Sequence, residues 1–407
     1  MSKLVGKAVI AQGGGPTAVI NQSVVGATLE ARKFAEITHV YGARHGVSGI
    51  INEDFVNLSE TTTNNLEEVA RTPSAALGST RDKPDADYCR KIFEVFKKRD
   101  IRFFFYIGGN DSSDTCRLVN QFAKDEGYDC RCVHIPKTVD NDLMITDHCP
   151  GYPSAARYVA QAFAGADLDN RSLPGVYIGV VMGRHAGFLT AAAAAYRRYP
   201  DDGPHLVYLP ERQFDKEKYL RDVDSAYKKY GRCVIAVSEG VWSETDDKGK
   251  HIPLLVSITG TSEKDAHGNV QLSGTGALGD VLSDLIKNEL EIKRVRADTL
   301  GYPQRCFLGV ASPVDQREAR EVGEKAVQFA VWHNQDGSVV INRVGDYAVD
   351  YSLAKLEDIA AKTKLMPDEF INAEGNNITP AFLQYVLPLM GPAPEAARLN
   401  APKVPHG

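Results

Sequence analysis

Lys137, Thr138, Asp140 and Asp142 fall within six residues, in the stretch KTVDND that follows an apolar run at 132–136. Two carboxylates flanking an asparagine beside a lysine are costly to crowd at a strand end without partners. Asp140 or Asp142 can accept a hydroxyl proton while the other helps to hold a metal ion. Lys137 can neutralise a phosphoryl group in transfer. An Asp/Asn turn with a surface ion pair would account for the same residues without any chemistry.

A second stretch, GGNDS at 108–112, follows the apolar run at 103–107. Gly108 and Gly109 allow a ligand close to the backbone, and Ser112 can cap the next helix and leave N–H donors free for an anion. As a helix N-terminal acid, Asp111 would need no ligand. That explanation leaves Gly-Gly-Asn unaccounted for. Weaker signals recur along the chain. QGGGPTAVIN at 12–21 puts glycines between a strand and a helix, where anions bind but where a tight turn is equally served. LGSTR ends in Arg81 and MGR in Arg184, and arginine suits bidentate phosphate contacts. SEG offers Glu239 to sugar hydroxyls or as a helix cap. RADTLGYPQR brings Arg296 and Arg305 around Tyr302, a phosphate clamp or solvated surface.

Positioning these loops requires strands that end beside one another. Apolar runs at 4–11, 38–41, 103–107, 132–136, 176–181, 206–209, 233–237 and 297–300 alternate with helical patterns, among them 18–34, 87–98, 151–164, 190–196, 216–229 and 315–332. Such alternation predicts α/β architecture with mostly parallel sheets covered on both faces, and ligands beyond the carboxyl ends of the strands. The pattern restarts near 151, which predicts two Rossmann-like lobes with the active site in the cleft between them. The first would take 1–150 plus about 304–345, and the second 151–303 with a polar hairpin insertion at about 241–273. Residues 346–407 form a C-terminal extension, and the tail APKVPHG reads as disordered.

At 407 residues, 43% hydrophobic and 25% charged, the chain has the balance of a globular protein. A net charge of −6 speaks against nucleic acid as partner, without excluding a small anion in one arginine-lined cleft. The seven cysteines include no CxxC pair, so reduced thiols in a cytoplasmic enzyme are expected rather than a disulfide frame or zinc site. No signal peptide or membrane span is legible.

Taken in order, GGGPTAVIN, LGSTR, GGNDS, PKTVDND, MGR, SEG and YPQR resemble the 6-phosphofructokinase family over about the first 330 residues. The resemblance implies transfer of phosphate to the 1-hydroxyl of fructose 6-phosphate in a homodimer or homotetramer, with Mg2+ as cofactor. Asp140 would be the general base, and Thr138, Val139, Asp140 and Asp142 would line the sugar. Met182, Gly183, Arg184 and Glu239 would hold it. Arg296, with Tyr302, Pro303, Gln304 and Arg305 of YPQR, would bind the 6-phosphate, Arg296 reaching in from a neighbouring subunit. Gly14, Gly15, Arg81, Gly109, Asn110, Asp111, Ser112 and Lys137 would hold the donor, and Asn110 and Asp142 the metal.

Two positions bear on the donor. ATP-using bacterial members typically carry glycine in place of Asp111 and of Lys137, and the Asp/Lys pair resembles the pyrophosphate-dependent branch. A carboxylate at 111 would repel the α-phosphate of ATP. The chain departs from the family's usual residues at Asn110 (aspartate), Gly175 (arginine in many bacterial members) and Tyr302 (histidine in many ATP-type sequences). Competing expectations are an ATP-dependent enzyme and, from Asn110, a non-catalytic regulatory subunit of the same fold.

Overall fold

The computed structural model describes residues 3–259, 276–402 and 404. Its strands in chain order are β1 (Gly6–Gln12), β2 (Ile37–Ala43), β3 (Phe55–Asn57), β4 (Ile101–Gly108), β5 (Arg131–Pro136), β6 (Val176–Val181), β7 (Leu206–Tyr208), β8 (Cys233–Ser238), β9 (Trp242–Thr245), β10 (His251–Pro253), β11 (Val295–Thr299), β12 (Gly337–Val344) and β13 (Ala348–Ala354). A seven-stranded sheet runs β13-β12-β5-β4-β1-β2-β3, and a four-stranded sheet runs β11-β6-β8-β7. The smaller sheet is parallel throughout, and the larger is parallel except at its two edge pairs, β2-β3 and β12-β13. The α/β class is as the alternation predicts.

Burial on both faces explains why the central strands read as unbroken apolar runs. Along β4, Phe103, Phe105 and Ile107 enter a core with helices Ile20–Ala31 and Pro313–Val331. Phe104 and Tyr106 point the other way, to helices Ala86–Arg99 and Asn110–Asp125. The smaller sheet repeats the arrangement: Val234 and Ala236 of β8 face helix Tyr152–Ser172, while Cys233, Ile235 and Val237 face helices Lys216–Tyr230 and Ala277–Leu290. Two glycines bring helix Pro313–Val331 onto the first core. A Cβ on Gly26 would lie 2.3 Å from the Arg320 carbonyl oxygen, and one on Gly323 2.3 Å from that of Ser23. The two backbones therefore touch directly.

Three expectations change. The alanine run at 190–196 is not one helix but a short helix Phe188–Ala191 followed by a 3-10 turn Ala192–Ala194, all buried. Packing against helix Tyr152–Ser172, rather than helix propensity, sets its shape. The insertion begins as an antiparallel hairpin, β9-β10, but continues as helix Leu254–Thr259; its remainder, 260–273, lies outside the described residues. Chain beyond 345 is built into the fold: β13 completes the edge of the larger sheet, and helix Pro380–Met390 buries Phe382, Val386, Leu389 and Met390 against helix Tyr152–Ser172. Of the tail read as disordered, 403 and 405–407 lie outside the described residues.

Candidate active site

The strands β1, β4 and β5 lie side by side, so their carboxyl-end loops are neighbours. Gly13 donates its N–H to the Ile107 carbonyl at 2.8 Å, and Lys137 donates its N–H to the Gly108 carbonyl at 3.0 Å. Close packing dictates the glycine at 108, where a Cβ would sit 2.0 Å from Ser112 Oγ. Helix Asn110–Asp125 starts at once, turning its N-terminal amides to the opening. From the smaller sheet, Gly183 follows β6 at φ +133°, and its carbonyl accepts a 2.6 Å hydrogen bond from Ser238 Oγ. Glu239 follows β8, and its N–H donates to the Val181 carbonyl at 2.9 Å.

These loops enclose one cleft of about 350 Å3. From the larger sheet it takes Gly14, Gly15, Arg81, Gly109, Asn110, Asp111, Ser112 and Lys137, with Thr138, Val139, Asp140 and Asp142 along its floor. Met182, Arg184, Glu239 and Arg305 face them. The other five candidates are not brought into it. Gly183 shapes the turn, and Pro303 starts a short helix, Pro303–Cys306. Gln304 is buried as a latch: its Oε1 accepts from the Met182 N–H at 3.3 Å and its Nε2 donates to the Gly301 carbonyl at 2.6 Å. Arg296 is exposed and donates to the Val295 carbonyl, and Tyr302 is 49% exposed, with the Arg305 guanidinium 4.8 Å over its ring.

Within the KTVDND loop, Asn141 is turned away from the cleft. Asn141, at φ +60° and fully buried, donates Nδ2 to Tyr385 Oη at 2.7 Å and accepts the Cys149 N–H at 2.9 Å. Asp140 and Asp142 are thereby left to the cleft. Asn110 Nδ2 donates to Asp142 Oδ2 at 3.0 Å, while Asn110 Oδ1 and Asp140 Oδ1 are buried without a protein partner. Orphaned oxygens beside a carboxylate suit a hard cation that also keeps water and substrate ligands. Among the described residues no group of three or more His, Cys, Asp or Glu could hold a metal alone, so any such ion would need those outside ligands.

Burial raises the Asp140 carboxyl above its ordinary range, against the pull of Arg305, Arg184 and Lys137. Asp142 is pushed up to about 6 by burial and by the charge of Asp140. Lys137 is lowered to about 8 by burial and by Arg305 and Arg81, while its Nζ donates to the Gly15 carbonyl at 2.7 Å. A carboxyl and an ammonium, each moved toward neutrality, thus share one confined space.

Sequence reasoning missed Lys83, His185 and Thr363, which also line the cleft. The polar run DKPD after Arg81 was a usable signal for Lys83, whose ammonium reaches the Asp111 carboxylate at 3.2 Å. Nothing local marks Thr363.

A family model described as Phosphofructokinase matches residues 7–330. The chain belongs to the phosphofructokinase family. Within that family it is similar to the pyrophosphate–fructose 6-phosphate 1-phosphotransferase of Rhodospirillum rubrum, at 60% identity over 400 residues and 98% of each chain. A crystal structure of a pyrophosphate-dependent phosphofructokinase from Nitrosospira multiformis superposes with a TM-score of 0.83 at 34% identity, covering 97% of this chain and 94% of the other. The corresponding structure from Marinobacter aquaeolei gives a TM-score of 0.82 at 33% identity, covering 95% and 92%. Both phosphofructokinase matches extend past residue 330, consistent with β13 and helix Pro380–Met390 being integral to the fold.

Proposed function

We propose that this phosphofructokinase transfers a phosphoryl group from pyrophosphate to the 1-hydroxyl of fructose 6-phosphate, reversibly, giving fructose 1,6-bisphosphate and phosphate. The observation that carries the reading is the open Asp140 Oδ1, held in one cleft with Lys137, Arg184 and the N-terminus of helix Asn110–Asp125. Asp140 takes the proton of the 1-hydroxyl as the sugar oxygen bonds to phosphorus and the bridging P–O bond of pyrophosphate breaks. A carboxyl raised by burial is suited to both directions, accepting the proton forward and returning it in reverse.

Lys137, Arg81, the Gly14–Gly15 turn and the amides at the start of helix Asn110–Asp125 hold the donor phosphates. Magnesium, carried by Asn110 and Asp142, would neutralise charge on the phosphoryl oxygens. Thr138 and Val139 line the sugar, Met182, Arg184 and Glu239 face it, and Arg305 takes its 6-phosphate. Exposed Arg296 and Tyr302 fit a site completed by a second copy in a homodimer or homotetramer. The free cysteines suit the cytoplasm, and no helix among the described residues is long and apolar enough to cross a membrane.

Pyrophosphate rather than ATP is favoured by the Asp111–Lys83 pair, which puts a negative side chain where an adenosine-bearing third phosphate would pass. The test is formation of fructose 1,6-bisphosphate from fructose 6-phosphate, pyrophosphate and magnesium, and of pyrophosphate from the reverse mixture. Absence of both products would end the proposal.

A further inference from the structure

The chain after residue 360 passes directly beneath the acidic loop. Lys364 donates its N–H to the Asp142 carbonyl at 2.7 Å. Its ammonium donates to the Thr146 carbonyl at 3.0 Å and the Asp147 carbonyl at 2.9 Å, and lies 5.2 Å from the centre of the Phe188 ring. Two residues on, the Met366 N–H donates at 3.1 Å to Glu211 Oε1, the atom that also accepts the Gly187 N–H at 2.8 Å. One short strap therefore ties the Asp140–Asp142 loop to the loop that carries Arg184. A second tie comes from helix Pro380–Met390, where Tyr385 Oη accepts from Asn141 Nδ2 and donates to the Asp147 carbonyl at 2.9 Å.

The Lys364 ammonium and the Tyr385 hydroxyl both grip backbone carbonyls of this loop, and Tyr385 also holds the Asn141 side chain. Asn141 holds a left-handed φ of +60° between the two aspartates, a conformation that persists where the surroundings over-determine it. The hydroxyl of Tyr385 and the ammonium of Lys364 supply that determination from outside the loop. Neither side chain lines the cleft.

We infer that Lys364 and Tyr385 are positioning residues for phosphoryl transfer: they fix the backbone of 140–147 so that the Asp140 carboxylate stays aimed at the sugar hydroxyl. The inference rests on the reading of Asp140 as base. Misplacing a reacting group by about 1 Å can cost about 100-fold in rate while substrate contacts elsewhere survive. The terminal region is thus a working part of the site.

The experiment compares Tyr385→Phe, which removes one oxygen, and Lys364→Met, which removes the charge, with the parent enzyme. Expected is a fall in kcat of about 10-fold for Tyr385→Phe and about 100-fold for Lys364→Met, with KM for both substrates within about 2-fold. If Lys364→Met does not fold, Tyr385→Phe decides alone. An unchanged kcat in folded Tyr385→Phe, or a loss confined to KM, would overturn the inference. Asp140→Asn, run alongside, separates the two ideas: full activity there removes the base itself, whereas its inactivity beside an unimpaired Tyr385→Phe removes only the positioning role.

Discussion

The Asp111 carboxylate meets the Lys83 ammonium at 3.2 Å at the lining of the cleft, with side chains 65% and 46% exposed. Exposed pairs of this kind contribute about 0–1 kcal/mol to stability, so this one is better understood through what it admits than what it holds together. Asp111→Gly should leave thermal unfolding nearly unchanged while raising kcat/KM for ATP by about 10-fold or more. Lys83→Ala leaves the carboxylate uncompensated and should raise the KM for pyrophosphate by about 10-fold, read from initial rates.

Asp140→Asn keeps shape but removes the carboxylate proposed as proton acceptor. General-base removal costs about 100- to 10,000-fold, and the loss should fall on kcat in both directions with the KM for fructose 6-phosphate little changed. Steady-state rates measured forward and in reverse check this.

Lys137 carries a pH prediction. Burial lowers its ammonium to about 8, so the free enzyme loses that charge as pH rises through 8. Since kcat/KM reports groups of the free enzyme, kcat/KM for pyrophosphate should fall on the alkaline side with a midpoint near that value. Lys137→Arg should move the limb upward, because a guanidinium keeps its charge there.

Gly323→Ala tests the close packing of two helices on one face of the larger sheet. Its Cβ would meet the Ser23 carbonyl oxygen at 2.3 Å, forcing apart helices Ile20–Ala31 and Pro313–Val331. Destabilisation of about 1–3 kcal/mol is expected, visible as a lower urea midpoint.

What the sequence revealed follows from where physics acts locally. The runs of β4 and β5 are apolar because both faces are covered, and most of the polar residues after them open onto the cleft, so strand and site announce themselves together. That Gln304 turns to Met182 and Gly301 could not be read from its position in YPQR. The edge hairpin β12-β13 and the strap at Lys364 were illegible for a related reason. Their partners, His134 with Ser338 at 2.7 Å and Asp142 with Lys364, lie more than 200 residues away in sequence. Burial lowers that histidine to about 4, leaving a neutral ring to bridge Ser338 and the Gly108 carbonyl, which no local pattern encodes.

The donor is the most direct test. Wild-type enzyme with fructose 6-phosphate and magnesium, given pyrophosphate or ATP at matched concentrations in a coupled assay, should turn over with pyrophosphate and not with ATP. Turnover with ATP and none with pyrophosphate would contradict the role assigned to Asp111 and the donor with it.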